Sequence, residues 1–223
     1  MNLLDVQNVE FQSRSQKIVK GISLKIERGT TTALIGHSGS GKSTLLKLMD
    51  GLLVPSAGKI LFEGRDIQAM NRAQNLEFRQ KCSFVFQDSA LWANQNIVQN
   101  LSLPLQIHFP LMTSEERMFT IHSICAMVGY DRDLNLRPVD LSTGEQKRIA
   151  FARAMICGPE VLFLDECTES LDRKGSAIIM DLLHNFINQG NTVIYISHNS
   201  TFIAEFPGTM YHIENGLIQG EPV

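Results

Sequence analysis

No apolar run in this sequence approaches the roughly 18 residues a membrane-crossing helix needs. If the protein works at a membrane, another chain has to cross it. Positive charge is not in excess either. Lys and Arg number 20 against 23 Asp and Glu, a formal net charge of -3. That balance argues against a nucleic-acid binder held by bulk positive charge. The four cysteines, Cys82, Cys125, Cys157 and Cys167, lack metal-ligand spacing. They fit reduced thiols better than a disulfide framework. The opening MNLLDVQNVEF carries early acids and no basic-then-apolar leader pattern. Repeats and low-complexity tracts are absent, and the chain ends soon after its last hairpin, so no C-terminal regulatory domain is expected. What remains is ordinary: 223 residues, 43% apolar and 19% charged. That is enough for one sizeable core with a smaller inserted subdomain.

The pattern along the chain alternates in period. Two β-like runs, around Leu3–Phe11 and Ile18–Ile26, precede the short apolar run TTALIG. Glycines break that run and the helical pattern STLLKLMDGLL follows. A turn–strand–turn (PSAGKILFEG), a helix-like stretch (RAQNLEFRQKC) and a short strand (SFVFQ) come next. From about Asp88 to Pro159 the pattern is mostly helical, with Pro104 and Pro110 expected as breaks. The buried-strand run VLFLDE, a helix over Gly175–Gln189, the strand TVIYIS and a short helix lead to a hairpin turning on Asn215-Gly216. Apolar strands alternating with helices imply a parallel sheet covered on both faces. The strand-rich opening adds an antiparallel layer, and the helical middle reads as an insertion.

Two places carry chemistry. GHSGSGKST, comprising Gly36, His37, Ser38, Gly39, Ser40, Gly41, Lys42, Ser43 and Thr44, fits Gly-x-x-x-x-Gly-Lys-Ser between a strand and a helix. Glycines let the backbone curl so that successive N–H groups face phosphate oxygens, and the helix N-terminus adds partial positive charge. Lys42 can reach the β- and γ-phosphates and Ser43 can hold Mg²⁺. The His37 ring is expected to be an exposed side chain and not a base. At the end of VLFLDE, Asp165 and Glu166 stand at the carboxyl edge of a buried strand, where ligands of open parallel sheets bind. Alternation makes the two acids diverge. Asp165 is assigned to the metal and Glu166 to an attacking water, as general base or water-positioner. TVIYIS delivers His198 to the same edge, toward a γ-phosphate.

With these residues in order, the chain resembles the ATP-binding subunits of ABC transporters over essentially its whole length. Gly36–Thr44 matches Walker A, and VLFLD followed by Glu166 matches Walker B. Gln87 in FVFQD matches the Q-loop glutamine, TESLD ending at Asp172 the D-loop, and His198 the switch histidine. LSTGEQKR matches the signature motif. The resemblance implies an α/β fold: a P-loop NTPase core with a mostly parallel sheet, an N-terminal antiparallel β layer and an inserted helical subdomain. The core would span 1–88 and 159–223, and the helical subdomain 89–158. It also implies ATP and Mg²⁺, with catalytic roles for Lys42, Gln87, Glu166 and His198. Ser43, Gln87 and Asp165 would hold the metal, and Phe11 would stack on adenine.

Two copies would pair head to tail, so that Ser142, Gly144 and Glu145 of each signature cap the phosphate in the partner's P-loop. The Ser142–Glu145 spacing is that of a capping box, which predicts a helix N-terminus aimed at an anion. Further expected partners are integral membrane permease subunits, at the cytoplasmic face of the inner membrane, and no nucleic acid. Trp92 and Leu91 are candidates for the permease contact, or for packing inside the helical insert.

Three residues depart from the family's usual pattern: Thr143 for Gly, Cys167 for Pro and Phe11 for Tyr. None removes a catalytic group, so an active ATPase is expected. GKILFEGRDIQAMNR, RQKCSFVFQDSALW and LPLQIHF are similar to ATPases of bacterial phospholipid transporters of the lipid-asymmetry type. That subgroup would add a periplasmic lipid-binding subunit. The alternatives are the ATPase of an amino-acid or lipoprotein transporter, or a soluble ABC ATPase.

Overall fold

The computed structural model describes residues 2–14, 16–169 and 171–220. Its framework is a six-stranded sheet of β3 (Thr31–Ile35), β6 (Cys82–Val85), β7 (Val161–Asp165), β8 (Thr192–Ile196), β9 (Thr209–Glu214) and β10 (Leu217–Gln219). The strand order is β10-β9-β3-β8-β7-β6, parallel except where β10 folds back on β9. The β9–β10 turn has Asn215 at φ 51° and Gly216 at φ 80°. Two consecutive left-handed residues are what a tight hairpin of this kind requires.

β7 and β8 are buried at every position, because both faces of the sheet are covered. Leu162, Leu164, Val193 and Tyr195 point into one core, which holds the helices on that side. Val161, Phe163, Ile194 and Ile196 point into the other. The period-2 alternation of two strands thus joins two hydrophobic cores through one sheet.

The second core is closed by a four-stranded antiparallel sheet, β1 (Asn2–Ser13), β2 (Gln16–Glu27), β4 (Ala57–Phe62) and β5 (Arg65–Asp66), in the order β2-β1-β4-β5. β2 buries Ile22, Leu24 and Ile26 in strict alternation. Gly21, at φ 83°, is left unpaired between the Glu10–Lys20 and Val9–Ile22 pairs. This bulge bends the hairpin over the sheet. Helix α1 (Lys42–Met49) lies in the same core, with Leu45, Leu46, Leu48 and Met49 fully buried. Helix α2 (Arg72–Lys81) is fixed at its start by an Asn71–Gln74 capping box.

The other face carries α3 (Ile97–His108), α4 (Ser114–Met127), α5 (Thr143–Met155) and α6 (Arg173–Asn188), with the short α7 (Ser200–Glu205) beside them. Pro110 follows the end of α3, as expected for a break. Pro104 does not break anything: it lies inside α3. A proline there removes one intrahelical hydrogen bond. Against that loss stand the burial of Ile97, Leu101 and Leu105 and the fully buried Asn100. The Asn100 amide ties Trp92, Gln95 and Asn96 to the helix.

Asp50, at the end of α1, is a buried acid with one carboxylate oxygen unpartnered. Arg79 of α2 reaches its other oxygen at 3.1 Å. Burial outweighs this partner and pushes the carboxyl up to about 7. The folded state therefore holds the Asp50 proton more tightly than the unfolded chain does. The resulting stabilisation is present at low pH and is lost as pH rises from about 4 through about 7. Thermal unfolding of Asp50→Asn should match the parent below about pH 4 and exceed it by several degrees near pH 8. A parent that melts higher at pH 8 would mean that the Arg79 pair outweighs the burial cost.

Candidate active site

Five chain segments bring side chains to the carboxyl edge of the parallel strands. The loop 36–41 leaves β3 and enters α1. Gly36, Gly39 and Gly41 take φ values of 143°, 78° and 104°. A Cβ on Gly36 would sit 2.0 Å from the Ile213 carbonyl oxygen, and one on Gly41 would sit 2.9 Å from that of Ile18. Gly36 and Gly41 are therefore required by close approach as well as by backbone angle, and Gly39 by backbone angle alone. The Gly216 amide donates to the Ser40 carbonyl, and the Lys20 amide donates to the Gly216 carbonyl. The β9–β10 hairpin and β2 brace the loop from outside.

Helices α2 to α7 each start with a side chain accepting from a backbone N–H, but α1 begins at Gly41 with none. Its first N–H groups are left to a ligand, and the positive end of the helix dipole lies there too. The Lys42 ammonium, almost fully buried, donates to the Gly36 and His37 carbonyls at 2.8 Å each. Burial lowers its pKa, against the opposing charges of Glu166 and Asp165. The His37 ring is exposed, in line with its reading as a bystander.

Beneath this loop the Ser43 hydroxyl donates to Asp165 Oδ1 at 3.0 Å. Asp165 is 3% exposed, and burial raises its carboxyl above the ordinary range. A hydroxyl and a desolvated carboxylate converging on one point form a hard-oxygen pair that suits Mg²⁺. The next residue, Glu166, has φ 51°. That left-handed step turns its side chain away from Asp165 and into the cleft. Burial, then the neighbouring Glu169, raise the Glu166 carboxyl. His198 Nε2 stands 3.6 Å from Glu166 Oε1.

A cleft of about 580 Å³ opens here, lined in part by Gln16–Ile18 and Lys20 of β2 and the Asn215–Gly216 turn; Gly36, His37 and Asp165 are not in its lining. Lys42, Ser43, Gln87, Glu166 and His198 all face it, as do Ser38, Gly39, Gly41 and Thr44. Phe11 does not. It pairs with Val19 across β1–β2 and packs against the second core. The strand that reaches the cleft is β2 and not β1. Gln87 was expected on the metal. Its amide nitrogen donates to Glu169 Oε2 at 3.0 Å and to Glu166 Oε2 at 3.3 Å, bonds that do not involve Oε1, the atom a metal would take.

Sequence reasoning missed Glu169 and Lys147. Glu169 follows Glu166 by three residues across a turn closed by its own N–H on the Glu166 carbonyl, at 3.2 Å. The Gln87 hydrogen bond holds its carboxyl below the usual range. Lys147, buried in α5, donates to the Glu166 carbonyl at 3.3 Å. An acid inside TESLD and a lysine inside LSTGEQKR were the available signals. Cys167 is buried, and burial pushes its thiol up to about 12, which keeps it protonated and inert. Ser170 of TESLD lies outside the described residues.

The stretch LSTGEQKR forms the start of α5 as the spacing predicts. The Ser142 hydroxyl accepts from the Glu145 N–H at 3.3 Å, and Glu145 Oε2 accepts from the Ser142 N–H at 2.8 Å. Arg132 holds Glu145 from the side at 3.0 Å. Ser142 and Thr143 are exposed. Ser142, Gly144 and Glu145 do not line the cleft of their own chain.

The model of the ABC transporter family matches residues 19–169, about two thirds of the chain, a span that holds the glycine loop, Gln87, Ser142–Glu145, Asp165 and Glu166. The chain belongs to the ABC transporter ATP-binding family. The chain is 31% identical over 217 residues to a methionine import ATP-binding protein of Clostridioides difficile, covering 97% of this chain and 67% of that protein. It is 30% identical over 229 residues to an arginine/ornithine transport ATP-binding protein of Pseudomonas aeruginosa, covering 98% and 90% respectively. An ATP-binding cassette solved as a dimer in a post-hydrolysis state with ADP and Pi superposes with a TM-score of 0.89 at 28% identity, covering 97% of each chain.

The ABC cassette fold is as expected, and the chain is an ATP-binding ATPase subunit of an ABC transporter. These relatives are amino-acid transport ATPases, so the phospholipid subgroup and its periplasmic lipid-binding subunit gain no support. The shared stretches around Gln87 and α2 are too generic to single out that subgroup. No helix among the described residues is long and apolar enough to cross a membrane.

Proposed function

We propose that this chain is the ATPase of an amino-acid ABC transporter, acting as a head-to-tail pair of copies beneath an integral membrane permease at the cytoplasmic face. The observation that carries the ATPase site is the 3.0 Å Ser43–Asp165 contact under the glycine loop, with Glu166 and His198 on the same edge. The named relatives support the amino-acid substrate class.

In this reading Lys42 exchanges its two carbonyl partners for phosphate oxygens, and the uncapped start of α1 receives the same anion. Ser43 and Asp165 hold Mg²⁺, which spreads the charge of the phosphates. Glu166 orients the attacking water and takes its proton; burial raises its carboxyl, which makes it a stronger base. His198, beside it, faces the γ-phosphate. The exposed start of α5, with Ser142 and Gly144, is free to cap the phosphate in a second copy. Segments 1–88 and 159–223 form the catalytic body, and 89–158 is the arm that carries this cap. The exposed Trp92, with the Arg153 guanidinium 4.9 Å over its ring, marks the side of the arm that meets the permease.

Purification of the tagged chain from mildly solubilised host membranes, followed by mass spectrometry, tests the assignment. An amino-acid permease is the expected companion. A lipid permease would overturn the substrate class, and the absence of any permease would overturn the transport role.

A further inference from the structure

The reading above, on which this inference rests, gives Gln87 and Glu166 separate duties. In the structure one amide occupies both acids: Gln87 Nε2 donates to Glu169 at 3.0 Å and to Glu166 at 3.3 Å. An amide nitrogen carries two protons, so these two acceptors use its full donor capacity. The turn that closes Glu169 N–H onto the Glu166 carbonyl keeps the two side chains adjacent. Lys147 fixes the same carbonyl from α5 but hydrogen-bonds to neither carboxylate.

We propose that Glu169 is a positioning residue: it docks the Gln87 amide against the Glu166 carboxylate, forming a latch that holds turnover down in the isolated chain. The argument is one of occupancy. Glu166 Oε2 carries the amide, and His198 stands near its Oε1. The amide takes an acceptor site on Oε2 that a water could use, and a hydrogen bond donated to a carboxylate lowers its basicity, so the base is weaker while the amide stays on it. The contact with Glu169 is the shorter of the two amide contacts, so Glu169 is the anchor and Glu166 the group that is covered. Gln87 lies two residues after β6, at the start of the segment that leads to α3. Displacement of that segment draws the amide off and uncovers the base.

Glu169 is exposed, so truncating it opens no cavity. Steady-state ATPase kinetics of Glu169→Ala should show kcat raised about three- to tenfold, the size of one lost hydrogen bond, with KM for ATP little changed. Glu169→Gln keeps an acceptor oxygen for the amide and should stay close to the parent rate. An unchanged or lower kcat in Glu169→Ala, or an equal rise in Glu169→Gln, would overturn the latch. The double variant Glu166→Gln/Glu169→Ala separates the two levels of inference. It should be as slow as Glu166→Gln alone. Substantial turnover in it would show that Glu166 is not the base, which is a failure of the underlying reading and not of the latch alone.

Discussion

Glu166→Gln lowers kcat by about 10²- to 10⁴-fold while ATP binding persists; this is the expected result of removing a general base and nothing else. The substitution is close to isosteric. It keeps the left-handed turn at position 166, the backbone bond to Ile196 and the Lys147 contact, since none of these uses the carboxylate. What disappears is the proton acceptor, the one acid on this edge that is partly exposed to the cleft and raised toward neutrality. The check is a steady-state phosphate-release assay beside a nucleotide-binding titration. A variant that keeps its rate would move the base elsewhere, with Glu169 the next acid to test.

Lys42→Ala acts one step earlier. ATP affinity should fall by about 10- to 100-fold, the size of losing one charge-assisted contact to phosphate. The lysine also holds two loop carbonyls at 2.8 Å, so the variant loses the cradle's internal brace together with its charge. Calorimetric titration with ATP measures the loss, and a thermal melt shows that the fold survives. An unchanged affinity would remove the loop 36–41 from the nucleotide site.

Much of this edge was legible in the chain itself. Glycines at 36, 39 and 41 ahead of Lys42, and two acids closing an apolar run, specify local geometry that needs little tertiary information. The Ser142–Glu145 box was equally plain, because a capping box is complete within four residues. What could not be read depends on long-range registry. Phe11 lies at the right sequence distance from the loop, but the β1–β2 hairpin presents Gln16–Ile18 and Lys20 of β2 to the cleft and turns Phe11 toward the second core. Pro104 looked like a break because proline costs a helix a hydrogen bond. What stands against this cost is tertiary: the burial of Ile97, Leu101 and Leu105 and the Asn100 network. The family pattern picks out Gln87 for a metal role that its amide-nitrogen bonds do not touch. Its observed partners include Glu169, an acid whose relevance appears only when β6 and the turn after β7 are brought together.

The central claim is that the start of α5 serves a phosphate held by another copy, since Ser142 and Gly144 stay outside their own cleft. The most direct test is light scattering of Glu166→Gln with Mg-ATP and, separately, with ADP. The account predicts a dimer with ATP, stable because hydrolysis is blocked, and a monomer with ADP. A monomer under both conditions, at concentrations where ATP is bound, would contradict it.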